Sequence, residues 1–222
     1  MKKKYATVGK SETRLDAREK VRGTATYIGD MKFTGMLHGK VLRSRYPHAR
    51  IVRIDTSRAK QLPGVKVVIT GADMPFLHGE SFHDEPFLAM GKVRYMGEAV
   101  AAVAAVDEDT AEAALDLIEV EYEELPAVFD AREAMKKGAP LLHEKLTEYY
   151  HPPIINPLPG TNVCNYTQVT KGDIKKGFKA ADHVFEDTFT TQMTQHGTIE
   201  PHAAVCMVTP DNKLTLWGNN DS

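Results

Sequence analysis

The stretch His196-Gly197-Thr198-Ile199-Glu200-Pro201-His202 holds the residue types best suited to chemistry. On an extended strand, side chains at 196, 200 and 202 share one face, because successive residues alternate sides. Two imidazoles and a carboxylate on one face are the ligand types of a mononuclear iron or zinc site. Pro201 argues against it, since proline interrupts the ladder between Glu200 and His202. Nine His in 222 residues also produce such spacings by coincidence. The expectation is a buried His–Glu hydrogen bond near a strand end, with no metal site and no catalytic residue on this chain.

Other chemistries leave fewer marks. No Gly-x-Gly-x-x-Gly or Walker sequence occurs, which excludes the common nucleotide loops, and no Gly-x-Ser-x-Gly elbow suggests a hydrolase. The carboxylates of Glu119, Glu121 and Glu123 alternate with Val120 and Tyr122, so they read as a solvated strand face. Cys164 and Cys206 are too few for a disulfide framework and lack metal-knuckle spacing. Two reduced thiols predict a cytoplasmic protein.

The elements that must position these groups follow from composition and period. With 42% hydrophobic and 26% charged residues the chain is an ordinary globular sequence, long enough for one large domain or one and part of another. No apolar run approaches the ~18 residues that span a bilayer. The basic Met1-Lys2-Lys3-Lys4 is followed by no apolar region, so no signal peptide is expected. A net charge of −2 argues against nucleic-acid binding. Residues 1–60 carry 16 Lys/Arg against 5 Asp/Glu, and residues 61–135 carry 4 against 16. The basic residues are interleaved with strand-like apolar positions, which predicts two regions of one domain that face and neutralise each other.

Strands are predicted at 37–44, 51–55, 65–70, 92–96, 99–106 and 118–122. Thr56 or Ser57 caps a short helix ended by Pro63-Gly64, and residues 71–89 form a loop. Ala111, Ala114, Leu115 and Ile118 recur at helical spacing behind a cap at Asp107 or Asp109. Asp130 and Asp173 open further helices. Pro140, Pro152, Pro153, Pro157 and Pro159 make the next stretch an ordered connector, since proline fixes φ and removes a donor. An alternating strand is predicted at 183–193 and a hairpin at 203–218. The chain stops directly after that hairpin, which predicts a segment of a longer protein. Helix interleaved with strand indicates an α/β layer structure.

Several segments in this order resemble one family. They are Arg14-Leu15-Asp16-Ala17-Arg18-Glu19-Lys20-Val21-Arg22-Gly23, Ala25-Thr26-Tyr27-Ile28-Gly29-Asp30, Leu37-His38-Gly39-Lys40-Val41-Leu42-Arg43-Ser44 and His48-Ala49-Arg50-Ile51. Val93-Arg94-Tyr95-Met96-Gly97-Glu98-Ala99-Val100-Ala101 and Glu119-Val120-Glu121-Tyr122-Glu123-Glu124-Leu125-Pro126 follow. Gly172-Asp173-Ile174, Gln195-His196, Glu200-Pro201 and Leu214-Thr215-Leu216-Trp217 complete the set. The chain resembles the N-terminal part of the molybdenum-binding subunit of the xanthine dehydrogenase/aldehyde oxidase family.

The resemblance implies an N-terminal arm at 1–14, an α/β hammerhead domain over 15–137, a Pro-rich connector at 138–160 and the start of a molybdopterin-binding domain at 161–222. It implies an oxidoreductase acting on an aldehyde, N-heterocycle or aromatic substrate, with molybdopterin held by the complete subunit. Iron–sulfur clusters and FAD would sit on partner subunits or domains, and none of these cofactors is expected on this chain alone. The partners implied are the C-terminal remainder of the subunit and the iron–sulfur and FAD subunits, with no nucleic acid and no membrane. The family's pterin loops and catalytic glutamate lie C-terminal to this segment. After the strand ending in Trp217 the family usually continues with a small residue, Ser-Thr and Gln, whereas this chain reads Gly218-Asn219-Asn220-Asp221. Asp221 would then border the molybdenum, and an ionised carboxylate only accepts hydrogen bonds where the Gln amide donates. Two alternatives stay open: a non-catalytic subunit-docking module, and a mononuclear enzyme using His196, Glu200 and His202.

Overall fold

The computed structural model describes residue 5 and residues 7–219. In chain order the elements begin with α1 (Ala17–Arg22), β1 (His38–Arg43), β2 (Ala49–Asp55), α2 (Ser57–Gln61) and β3 (Val65–Thr70). Then come β4 (Leu77–His78), β5 (Glu85–Pro86), β6 (Lys92–Val93), β7 (Ala99–Ala105), α3 (Glu108–Asp116) and β8 (Glu119–Glu124). Last are α4 (Ala131–Ala134), α5 (Ile174–Ala180), β9 (Ala204–Val208) and β10 (Leu214–Gly218). They fall into two compact units, one over residues 35–184 and one joining the described residues before 35 and after 184.

The larger unit is built on two antiparallel three-stranded sheets, ordered β1-β7-β3 and β6-β2-β8. In β7 the alternate residues Ala101, Val103 and Ala105 are buried on one face. They meet Ala111 and Ala114 of α3 and Ala59 of α2, and side chains this small let helix and sheet approach closely. Asp107 fixes where α3 starts by accepting a 2.7 Å bond from the Thr110 N–H. Ala49, Ala89, Val93 and Val100 form a second core, and Ile54 and Val120 pack against both. Val93 and Val100 are fully buried, each worth about 1.5–3 kcal/mol. Gly71 is required by contact: a Cβ there would stand 2.5 Å from the Ala89 carbonyl oxygen.

The basic and acidic regions do neutralise each other here. Arg50 faces Glu123 across the β2–β8 ladder and bonds it at 2.8 Å, while Arg58 reaches Glu119 and Lys40 reaches Glu108. All six side chains are partly or largely exposed, so each pair contributes about 0–1 kcal/mol.

Four expectations are corrected. Residues 183–193 form no strand: none of the described strands lies beside them to complete a ladder, and Phe189 and Met193 stay exposed. The loop over 71–89 contains the short β4–β5 ladder, pairing Leu77 with Pro86 and His78 with Glu85. The strand predicted at 92–96 stops at Val93, because the chain turns at Gly97 (φ 91°) and Glu98 N–H bonds back to the Tyr95 carbonyl. Neither Thr56 nor Ser57 caps α2; the Asp55 carboxylate accepts from the Ser57 N–H and hydroxyl instead.

In the smaller unit, Gly23 ends α1 in the left-handed conformation (φ 66°) and donates to the carbonyls of Glu19 and Lys20. β9 and β10 form the expected hairpin, with Leu214 opposite Val208 and Gly218 opposite Ala204. Phe33 lies against Trp217 at 5.3 Å between ring centres.

Candidate functional site

The larger unit changes sheet five times, and two of these passages are direct five-residue crossings, Ser44–His48 between β1 and β2 and Arg94–Glu98 between β6 and β7. The crossings run side by side. The Ser44 N–H donates to the Glu98 carbonyl at 2.9 Å, and the Gly97 N–H donates to the Ser44 carbonyl at 2.8 Å. All four buried polar side chains described, Ser44, His48, Lys92 and Glu98, lie at this junction. Buried charges require partners, and those partners define the site.

Lys92 is fully engaged. Its ammonium donates to Glu144 Oε1 at 2.7 Å and to the Leu141 carbonyl at 2.9 Å, and lies 3.3 Å from His48 Nε2. His48 Nδ1 is 2.6 Å from the Pro126 carbonyl oxygen. A carbonyl only accepts, so Nδ1 carries the proton and Nε2 offers its lone pair to Lys92. Burial pushes the Glu144 carboxyl up, but the Lys92 bond, a backbone bond and the nearby cations outweigh it and hold it below its ordinary value.

Arg94 and Glu98 form the second half. The Arg94 N–H donates to Glu98 Oε2, and the guanidinium Nη1 stands 3.7 Å from Oε1. Arg94 Nε donates at 3.1 Å to the Leu142 carbonyl. Burial raises the Glu98 pKa against the opposing pull of Arg94. Between these groups sits His143, with Nδ1 3.1 Å from the Tyr149 hydroxyl and Nε2 3.9 Å from Asp84. Burial, and then the Arg94 charge, press its pKa down to about 4. At neutral pH the imidazole is uncharged and its approach to Asp84 is no ion pair. Asn162 completes the arrangement by bonding the Leu142 N–H and the Ala134 and Pro140 carbonyls.

A cleft of about 530 Å³ opens above, lined by His78, Asp84, Arg94, Tyr95, Glu98 and His143 among others. Its buried charges are already satisfied by one another and by main-chain carbonyls of 141–142. Such a network fastens one chain segment to another.

The residues singled out by spacing lie elsewhere. His196 and His202 are exposed and Glu200 is half-buried, in a segment that is neither helix nor strand. The shared face expected from strand parity is therefore missing. No group of three His, Cys, Asp or Glu able to hold a metal occurs among the described residues. The expected His–Glu bond is not among the hydrogen bonds described. Cys164 and Cys206 are exposed thiols, and Asp221 lies outside the described residues. Among the described residues no helix is long and apolar enough to cross a membrane.

The same frame recurs in known proteins. Residues 22–126 match the family model for the aldehyde oxidase and xanthine dehydrogenase a/b hammerhead domain, and residues 156–222 match that for the molybdopterin cofactor-binding domain. The chain belongs to the xanthine dehydrogenase/aldehyde oxidase family. It is similar to a probable xanthine dehydrogenase subunit of Bacillus subtilis (strain 168), with 39% identity over 93% of this chain and 26% of the relative. It is 37% identical to the nicotinate dehydrogenase large molybdopterin subunit of Eubacterium barkeri, over 97% of this chain and 48% of that one. The structure of reconstituted CO dehydrogenase from Oligotropha carboxidovorans superposes with a TM-score of 0.81 at 33% identity, over 95% of this chain and 27% of that one. The chain thus spans about half of one relative and about a quarter of the other two. The two-sheet architecture is that of the family's α/β hammerhead domain.

Within the second matched region a Cβ built on Gly160, Gly172 or Gly177 would meet nothing within 4 Å, so the backbone at these glycines faces open space.

Proposed function

We propose that this chain is the N-terminal segment of the molybdenum-binding large subunit of a molybdopterin-dependent oxidoreductase, with a structural and assembly role. The substrate class is an aldehyde, an N-heterocycle or another aromatic. The observation that carries this reading is the succession of two family models, hammerhead and then cofactor-binding domain, along one chain. The relatives' own names support it, since one is a large molybdopterin subunit and the other a dehydrogenase subunit. The proposed segmentation is an arm at 1–14, a hammerhead domain at 15–137, a connector at 138–160 and the opening of the cofactor domain at 161–222.

The remainder of the subunit would supply the pterin loops and the catalytic base, and separate iron–sulfur and FAD subunits would carry electrons away. When bound, molybdopterin supplies the oxidative chemistry; this chain's residues supply rigidity and one wall. Asp221 is proposed to border that centre. The complex would reside in the cytoplasm.

Co-expression with the downstream remainder of the subunit and its partners tests the reading. Molybdenum at one equivalent per complex and dye reduction with an aldehyde or N-heterocycle are expected, both lost when this chain is omitted. Equal molybdenum content and turnover without the chain would overturn it. A metal-bound chain that is active alone would favour the mononuclear reading instead.

A further inference from the structure

The cleft above the junction holds one charged group that the buried network does not use. Asp84 lines it with its side chain only 25% exposed, yet the carboxylate accepts no hydrogen bond from any described residue. The nearest basic atom is His143 Nε2 at 3.9 Å, beyond hydrogen-bond reach, on an imidazole that is uncharged at neutral pH. A largely buried carboxylate without a donor costs free energy that a ligand bearing one recovers. The main chain, not the carboxylate, holds Asp84 in place. Its N–H donates to the Phe82 carbonyl at 3.1 Å, and the His83 N–H donates to the Tyr150 carbonyl at 2.9 Å. The Phe82 ring stacks on His151. Asp84 is therefore positioned and its oxygens are free.

Charge and shape select what fits. The carboxylates of Asp84, Glu85 and Glu98 line the cleft against one guanidinium, Arg94. Arg94 and Glu98 balance each other at 3.7 Å, and Glu85 has no ion pair among the described residues. Two negative charges are left over. The wall beside them is aromatic: His78 and Phe87 stack at 4.3 Å between ring centres, and Phe87 and Tyr95 are half or more exposed. The volume, about 530 Å³, is that of a small-molecule site. We propose that this cleft binds a small planar organic cation, an amidinium or guanidinium carried on an aromatic ring, with its charge on Asp84 and its ring against the His78–Phe87 pair. A planar amidinium offers a carboxylate two parallel N–H donors, and its ring gains an offset or edge contact with the exposed phenyl. This binding needs neither molybdopterin nor the remainder of the subunit.

Benzamidine titrated into the full chain at neutral pH, followed by carbon NMR of the His78 and His143 rings, tests this. Saturable binding of one equivalent is expected, with both rings shifting on one curve. Benzamide, the neutral isostere, should bind roughly tenfold more weakly or worse, because it lacks the charge-assisted bond. Methylguanidine, which has the cation without the ring, should be weaker by a similar factor. Asp84→Asn keeps the fold, since the carboxylate makes no bond within the chain, and should weaken benzamidine roughly tenfold or more. Glu112→Gln, which removes an exposed charge on α3, should leave the affinity unchanged. No saturable shift, benzamide or methylguanidine binding as tightly as benzamidine, or an unchanged affinity in Asp84→Asn would each overturn the proposal.

Discussion

Two regions of this molecule hold His and Glu side chains close together in sequence or in space, and they behave oppositely. At 196–202 the three groups are near neighbours in the chain, yet they lie on an irregular segment with both imidazoles exposed. At the sheet junction the groups come from residues 44–48, 92–98, 141–149 and 162, and the fold gathers them into one buried network. Spacing along a chain becomes shared orientation only where regular structure enforces it. The first region has no ladder among the described residues. The second is framed by strands of two sheets.

That contrast can be sharpened by substitution. Glu98→Ala should have the largest effect, about 3–5 kcal/mol, because it removes the counter-charge of the partly buried Arg94 guanidinium and the acceptor of the Arg94 N–H. Thermal unfolding of the larger unit reports it. Val100→Ala removes two methyl groups from the core beneath the same crossing and should cost about 1–3 kcal/mol in urea. Asp107→Ala, which removes a helix cap away from the junction, should cost about 1 kcal/mol. Replacing His196, Glu200 and His202 together by Ala should change stability by less than about 0.5 kcal/mol. If that triple change cost more than Glu98→Ala, the contrast between the regions would be reversed.

Much of the fold was legible in the sequence. A β-branched run marked β3, a continuous Ala/Val run marked β7 and a period-two alternation marked β8, and Asp107 and Asp173 cap the helices assigned to them. The charge asymmetry became the Arg50–Glu123 pair across the antiparallel β2–β8 ladder and the Arg58–Glu119 pair between α2 and β8. The strand predicted at 183–193 failed for a physical reason: alternation gives a face, but a strand also needs a neighbour for its backbone. The junction was not legible. Lys92 reads as an ordinary strand-end cation, and its partners His48 and Glu144 stand 44 and 52 residues away. The one available hint was a Lys and an Arg on either side of Val93 in a predicted strand.

The central claim is that the buried charges of this chain hold the connector to the sheet junction. Cleavage by chymotrypsin at Tyr149 and Tyr150, compared between the native chain and Lys92→Met at neutral pH, tests it most directly. Methionine keeps the length and apolar packing of the lysine stem while removing the bonds to Glu144, the Leu141 carbonyl and His48. Losing those bonds should raise connector opening, and so cleavage, by roughly tenfold or more while the sheets remain intact by circular dichroism. Unchanged cleavage in Lys92→Met would contradict the claim.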